Sequence, residues 1–95
     1  MDNSDLLTLR QTSQFKKDLR RLSMRGMNMD LLDEVITLLR KREPLPEKYN
    51  DHSLSGNWKG FRDCHIQPDW VLIYKVDTDT LILTATRTGT HSDIF

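Results

Sequence analysis

The chain has 95 residues, enough for one domain around a single modest core and too few for two. Its 14 basic and 14 acidic residues cancel, so no global field steers it toward nucleic acid. The lone cysteine, Cys64, rules out an internal disulfide, Met1 to Asp5 lack a signal-peptide core, and no run is long enough to span a membrane, so a soluble cytoplasmic protein is expected.

Leu7 and Leu9 alternate with Thr8 and Arg10, which predicts a short opening strand over Leu6 to Arg10. Ser13 is placed to cap a helix running to about Arg25 and stopped by Gly26, with Phe15, Leu19 and Leu22 as its buried stripe. From Arg10 to Arg25 the chain carries Arg10, Lys16, Lys17, Arg20, Arg21 and Arg25 against one acid, Asp18. Such a face is either a solvated helix surface or a local track for phosphates. Asn28 or Asp30 can cap a second helix to about Arg42, whose broad apolar face is Leu31, Leu32, Val35, Ile36, Leu38 and Leu39. The short link makes the two helices an antiparallel hairpin.

Pro44 and Pro46 stop the second helix and open a loop to about Leu54. Beyond it the period changes to strand: Trp58 to Ile66, Trp70 to Val76 and Thr80 to Arg87, joined by turns at Gln67-Pro68-Asp69 and Asp77-Thr78-Asp79. Apolar residues on both faces of Trp70 to Val76 mark it as central. The predicted fold is α+β, in the order β-α-α-β-β-β, with the helical hairpin packed on one face of a small sheet.

All three histidines lie in the C-terminal half: His52 follows Asp51, His65 precedes Asp69 by four residues, and His91 follows Arg87 by four. Imidazole is the side chain whose unperturbed titration falls near neutrality, so the set has the parts for proton transfer, though each ring alone could be a surface or capping residue. Cys64 and His65 are adjacent on a strand and point to opposite faces, which excludes a thiol–imidazole dyad and makes Cys64 a small core residue. The wide spacing from His52 to His65 to His91 lacks the close-set ligand pairs of small zinc sites, so no metal is expected. Arg87 beside Thr88-Gly89-Thr90 is suited to a bidentate grip on a phosphate. The last residue, Phe95, can stack on a base or pack back on the sheet.

These segments resemble a known family. The runs Tyr49-Asn50-Asp51-His52-Ser53-Leu54, Gly56 to Tyr74 with its His-x3-Asp-Trp hairpin, and Arg87-Thr88-Gly89-Thr90-His91 with Phe95 resemble the YafQ toxins of the RelE/ParE superfamily of type II toxin–antitoxin systems. The likeness spans nearly the whole chain, as one domain over residues 1–95 with 1–5 as a small polar extension. It implies a RelE-like fold with a twisted, mostly antiparallel sheet. It implies also a ribosome-dependent endoribonuclease, an mRNA interferase, that enters the decoding site of the 70S ribosome and cuts the message without metal or other cofactor. Under that resemblance His52, His65, Asp69 and His91 are the acid–base and orienting set, Arg87 supports the scissile phosphate, and Phe95 and Trp70 help hold the RNA. Lys16, Lys17, Arg20 and Arg21 become phosphate contacts to ribosomal RNA. The expected partner besides ribosome and mRNA is a small ribbon-helix-helix antitoxin. The ParE branch, which acts by binding DNA gyrase, is the alternative; the complete histidine set speaks for the nuclease.

Overall fold

In the computed structural model, which describes residues 6–95, the chain starts in β1 (Thr8–Gln11) and turns at once into α1 (Ser13–Met24). The expected extension, Met1 to Asp5, lies outside the described residues. Thr12, not Ser13, is the cap: its hydroxyl accepts from Phe15 N at 3.0 Å and satisfies one of the helix's orphan donors. Asn28 caps α2 (Met29–Arg40) in the same way by accepting from Asp30 N. Phe15 and Leu22 of α1 and Leu32, Val35, Ile36 and Leu39 of α2 are buried on the sheet, as their spacing predicts, whereas Leu19, Leu31 and Leu38 at the edges of the stripes are only partly buried. Asp18 is buried with them, because it falls on the same stripe, three residues after Phe15 and four before Leu22.

Two 3-10 turns, Glu47–Tyr49 and Gly56–Trp58, flank the two-residue β2 (His52–Ser53). The second turn delays β3, which runs over Arg62–Gln67 rather than from Trp58. β4 (Trp70–Asp77) follows after a tight turn. β5 covers Ile82–Gly89, later than expected, because Asp77 Oδ1 accepts from both Asp79 N and Thr80 N and thereby lengthens the turn. Thr88 and Gly89, expected in a loop, are thus the last ladder residues, and Thr90 opens a short helix, α3 (His91–Ile94).

Among the described residues the sheet is open and five-stranded, in the order β1-β5-β4-β3-β2, and only β1 and β5 pair in parallel. β4 is central, and Trp70 to Tyr74 are buried on both its faces. The result is the expected α+β arrangement, with β2 and α3 added. Register sets the site. Val71 pairs with His65 on one side and Gly89 on the other, so the ends of β3 and β5 lie about 10 Å apart across one intervening strand. Asp69 sits in the β3–β4 turn and His91 two residues beyond Gly89, so both emerge at this same rim. His52 joins from the far edge through its pairing with Asp63.

Candidate active site

The three imidazoles form a row. The ring centres of His52 and His65 are 6.3 Å apart, and those of His65 and His91 5.5 Å. Each ring is fixed by a different local device. Asn50 closes a 3-10 turn in the left-handed region, at φ 46°, and its carbonyl lies 2.7 Å from His52 Nδ1. The residue between them, Asp51, is held by the Tyr74 hydroxyl and by Arg62 Nη2 at 3.1 Å. His65 Nδ1 lies 3.2 Å from the Pro68 carbonyl across the hairpin turn. His91 Nδ1 lies 2.9 Å from Asp69 Oδ1, which also accepts from the His91 backbone N–H at 3.3 Å.

These partners decide the tautomers. A carbonyl or carboxylate oxygen can only accept, so each Nδ1 carries the hydrogen and each neutral ring keeps its lone pair at Nε2. All three Nε2 atoms can therefore take a proton when the ring is neutral or give one when it is charged. His65 Nε2 faces Asp63 Oδ1 at 3.7 Å, and that carboxylate is 5% exposed with Oδ1 otherwise unpartnered among the described residues. Sequence reasoning passed over Asp63, although it lies two residues from His65 on the same strand face. Hydrogen bonds from the His91 ring and backbone hold the exposed Asp69 carboxyl below its ordinary value.

Two expected RNA contacts stand differently. Trp70 is 1% exposed in the core, and its Nε1 donates to Thr88 Oγ1 at 2.9 Å. Its indole is sealed away from any ligand and serves to hold the end of β5, so the expectation for Trp70 is corrected. Phe95 is 59% exposed, with its ring centre 6.0 Å from that of His91 and 6.4 Å from that of Trp58, a half-buried ring whose neighbourhood to the site the sequence did not reveal. Phe95 therefore does not fold back into the core, and it stands beside the histidine row.

Arg87 is half spent. Its Nε donates to the buried Asp18 at 2.9 Å and its Nη2 reaches Asp18 at 3.3 Å and the Asp93 carbonyl at 3.4 Å. Only Nη1 has no partner among the described residues, so the expected bidentate grip on a phosphate is corrected to a single donor. On α1, Lys16, Lys17 and Arg20 are exposed, whereas Arg21 Nη2 is drawn to Asp18 at 2.7 Å. The Arg25 guanidinium, not singled out as a site residue, grips the Asp93 carboxylate at 2.8 and 3.0 Å. Cys64 is fully buried on the opposite face of β3 from His65, and burial pushes its thiol far above the ordinary range, which leaves it inert as a nucleophile.

Residues 7–95 match the family described as "Bacterial toxin of type II toxin-antitoxin system, YafQ". The mRNA interferase toxin YafQ of Escherichia coli K12 is 47% identical over 85 residues, covering 88% of this chain and 90% of that one. A solved complex of E. coli YafQ with DinJ, a toxin–antitoxin complex, superposes with a TM-score of 0.86 at 41% identity, covering 95% of this chain and 98% of the other. A copper-bound mutant toxin from Helicobacter pylori superposes at 0.89 with 43% identity, covering 95% of this chain and 100% of that one. In this chain, among the described residues, no group of three or more His, Cys, Asp or Glu side chains is arranged to hold a metal ion.

Proposed function

This chain belongs to the YafQ family of bacterial toxins of type II toxin–antitoxin systems and is an mRNA interferase of that family, and we propose that it cuts mRNA in the decoding site of the 70S ribosome by histidine acid–base chemistry. RNA carries its own nucleophile. The 2′-oxygen attacks the adjacent phosphorus, the P–O5′ bond breaks, and the products end in a 2′,3′-cyclic phosphate and a 5′-hydroxyl. One imidazole Nε2 takes the 2′-hydroxyl proton, and a charged imidazole returns a proton to the departing O5′. The observation that carries this reading is the row of three imidazoles with every Nδ1 tied to an acceptor, which leaves the lone pair of each neutral ring at Nε2.

Asp69 orients His91 and stabilises its charged form, as a carboxylate behind an imidazole does. Arg87 offers Nη1 to the phosphorane, Phe95 offers a face on which a base can stack, and Lys16, Lys17, Arg20 and the exposed part of Arg21 meet ribosomal RNA phosphates. The antitoxin is a small ribbon-helix-helix protein, and the working compartment is the cytoplasm, where ribosomes are met. No helix among the described residues is long and apolar enough to cross a membrane.

The test is to map mRNA 5′ ends during translation for the wild type and for His91→Ala. Loss of one acid–base group lowers cleavage by about 10²–10⁴-fold. His91 should cost most, because its Nδ1 alone of the three is hydrogen-bonded to a carboxylate rather than to a backbone carbonyl. Ribosome-dependent cuts that vanish in the variant support the proposal; intact mRNA with gyrase-linked DNA breaks would overturn it.

A further inference from the structure

Asp18 reads in the sequence as the odd acid on a basic helix, yet it is 0% exposed. Its place follows from the sheet edge. β1 stops at Gln11, opposite Ala85, so the next part of β5 has no strand beside it on that side. Two side chains complete the ladder there. Thr12 Oγ1 donates to the Thr86 carbonyl at 2.8 Å, and Asp18 Oδ2 accepts from Thr88 N at 3.1 Å.

A neutral acceptor would serve one backbone N–H at less cost, since a buried carboxylate must recover its lost hydration. Asp18 recovers it by collecting Arg87 Nε at 2.9 Å and Nη2 at 3.3 Å, Arg21 Nη2 at 2.7 Å and Gln14 Nε2 at 3.3 Å. The Arg87 Nη2 that touches Asp18 also touches the backbone carbonyl of Asp93, inside α3. Two helical turns along the same face of α1, Arg25 holds the Asp93 carboxylate. The turn bearing His91 and Phe95 is thus tied to α1 twice, once through Asp18 and Arg87 and once through Arg25.

We infer that Asp18 is a positioning residue for cleavage: it fixes the Arg87 guanidinium so that Nη1 alone faces the phosphate, and through Arg87 it seats the C-terminal turn. The inference rests on the nuclease function proposed above. A donor locked before the reaction needs no reorganisation when charge develops, and a misplacement of about 1 Å can cost about 100-fold.

A double-mutant cycle on programmed ribosomes tests it, with single-turnover cleavage and ribosome affinity measured for the wild type, Asp18→Asn, Arg87→Ala and the pair. Asp18→Asn should lower the saturating rate by about 10- to 100-fold with ribosome affinity unchanged. In the Arg87→Ala background it should cost nothing further, because Arg87 carries its effect. Gln14→Leu, which also touches Asp18, should leave cleavage unchanged. Additive losses, a loss of affinity alone, or an unaffected Asp18→Asn would overturn the inference. Should Asp18→Asn not fold, the wild type still decides: at neutral pH the Arg87 Nε–H should exchange slowly with solvent in its nitrogen NMR signal, and exchange as fast as a free arginine's would refute it. Cleavage lost in Arg87→Ala but not in Asp18→Asn sinks this inference alone. A wild type that does not cut at all sinks the nuclease proposal, and this inference with it.

Discussion

Gly89→Ala should undock the C-terminal turn while leaving the sheet intact. A Cβ built at Gly89 lies 2.9 Å from Asp93 Oδ2 and 3.0 Å from Asp93 Cβ, and the backbone there has φ 155°. The second contact is the more serious, because a Cβ cannot swing away by a side-chain rotation. Either the backbone of α3 shifts or the Asp93 carboxylate leaves Thr90 N, which it holds at 2.9 Å in a capping box. Loss of the cap costs about 1 kcal/mol, and forcing an L-residue into this backbone region costs of order 1–3 kcal/mol. Arg25 adds little, since its guanidinium is solvent-exposed and the pair is screened. Detaching the short segment 91–95 is easier than unfolding the core, so the cost falls on docking. A loss of about 2 kcal/mol is a factor of about 30 in that equilibrium. Amide hydrogen exchange is the assay: the amides of Asp93 and Phe95, bonded to Thr90 O at 3.0 Å and His91 O at 2.8 Å, should lose protection by that factor. Ribosomal cleavage should fall with it. Gly26→Ala is the control, with φ 77° and nothing within 4 Å of the added carbon; it should destabilise mildly without touching the turn. Unchanged protection of Asp93 and Phe95 in Gly89→Ala would refute the reasoning.

Trp70→Phe should lower stability by about 1 kcal/mol, through loss of the Nε1–Thr88 hydrogen bond, with RNA affinity unaltered in a fold-corrected binding assay; weaker binding without destabilisation would restore Trp70 as a contact. Acid should loosen both ties on α1. Burial would raise the Asp18 carboxyl, but hydrogen bonds from Arg87, Thr88 and Gln14 outweigh it and hold it below the ordinary value; Asp93 is also held well below it, chiefly by Arg25. With both folded values depressed, their stabilisation is fully present above the unfolded carboxylate value of about 3.9 and is lost as pH falls from there toward the folded values. The melting temperature should accordingly drop below about pH 4, with a shallower drop in Asp93→Asn. Coincident profiles for the two proteins would contradict the assignment.

The helical hairpin and the central β4 were legible because each rests on a local signal, an apolar stripe or a two-sided apolar run; the histidines were legible as a residue type, and their grouping only through the family resemblance. What escaped is non-local. The parity that puts Asp63 beside His65 was available, but its burial depends on neighbours from other strands. Asp18 could have been placed on the core stripe by its spacing from Phe15 and Leu22; that it would bind Arg87 69 residues away could not be read from either segment. The turn at Asp77 and the capping box at Thr90 moved the end of β5 by two residues, enough to turn an expected phosphate loop into a strand end. Trp70 was misjudged because an aromatic next to a site residue looks the same in sequence whether it faces solvent or the core.

The central claim, that the RNA supplies its own nucleophile to a row of imidazoles, is tested most directly on the substrate. Ribosomes programmed with mRNA bearing a single 2′-deoxy nucleotide at the mapped cleavage position should not be cut there. The unmodified message should yield a 2′,3′-cyclic phosphate on one fragment and a 5′-hydroxyl on the other. Cleavage of the 2′-deoxy message, or a 5′-phosphate on the downstream fragment, would mean that water attacks instead and would contradict the account.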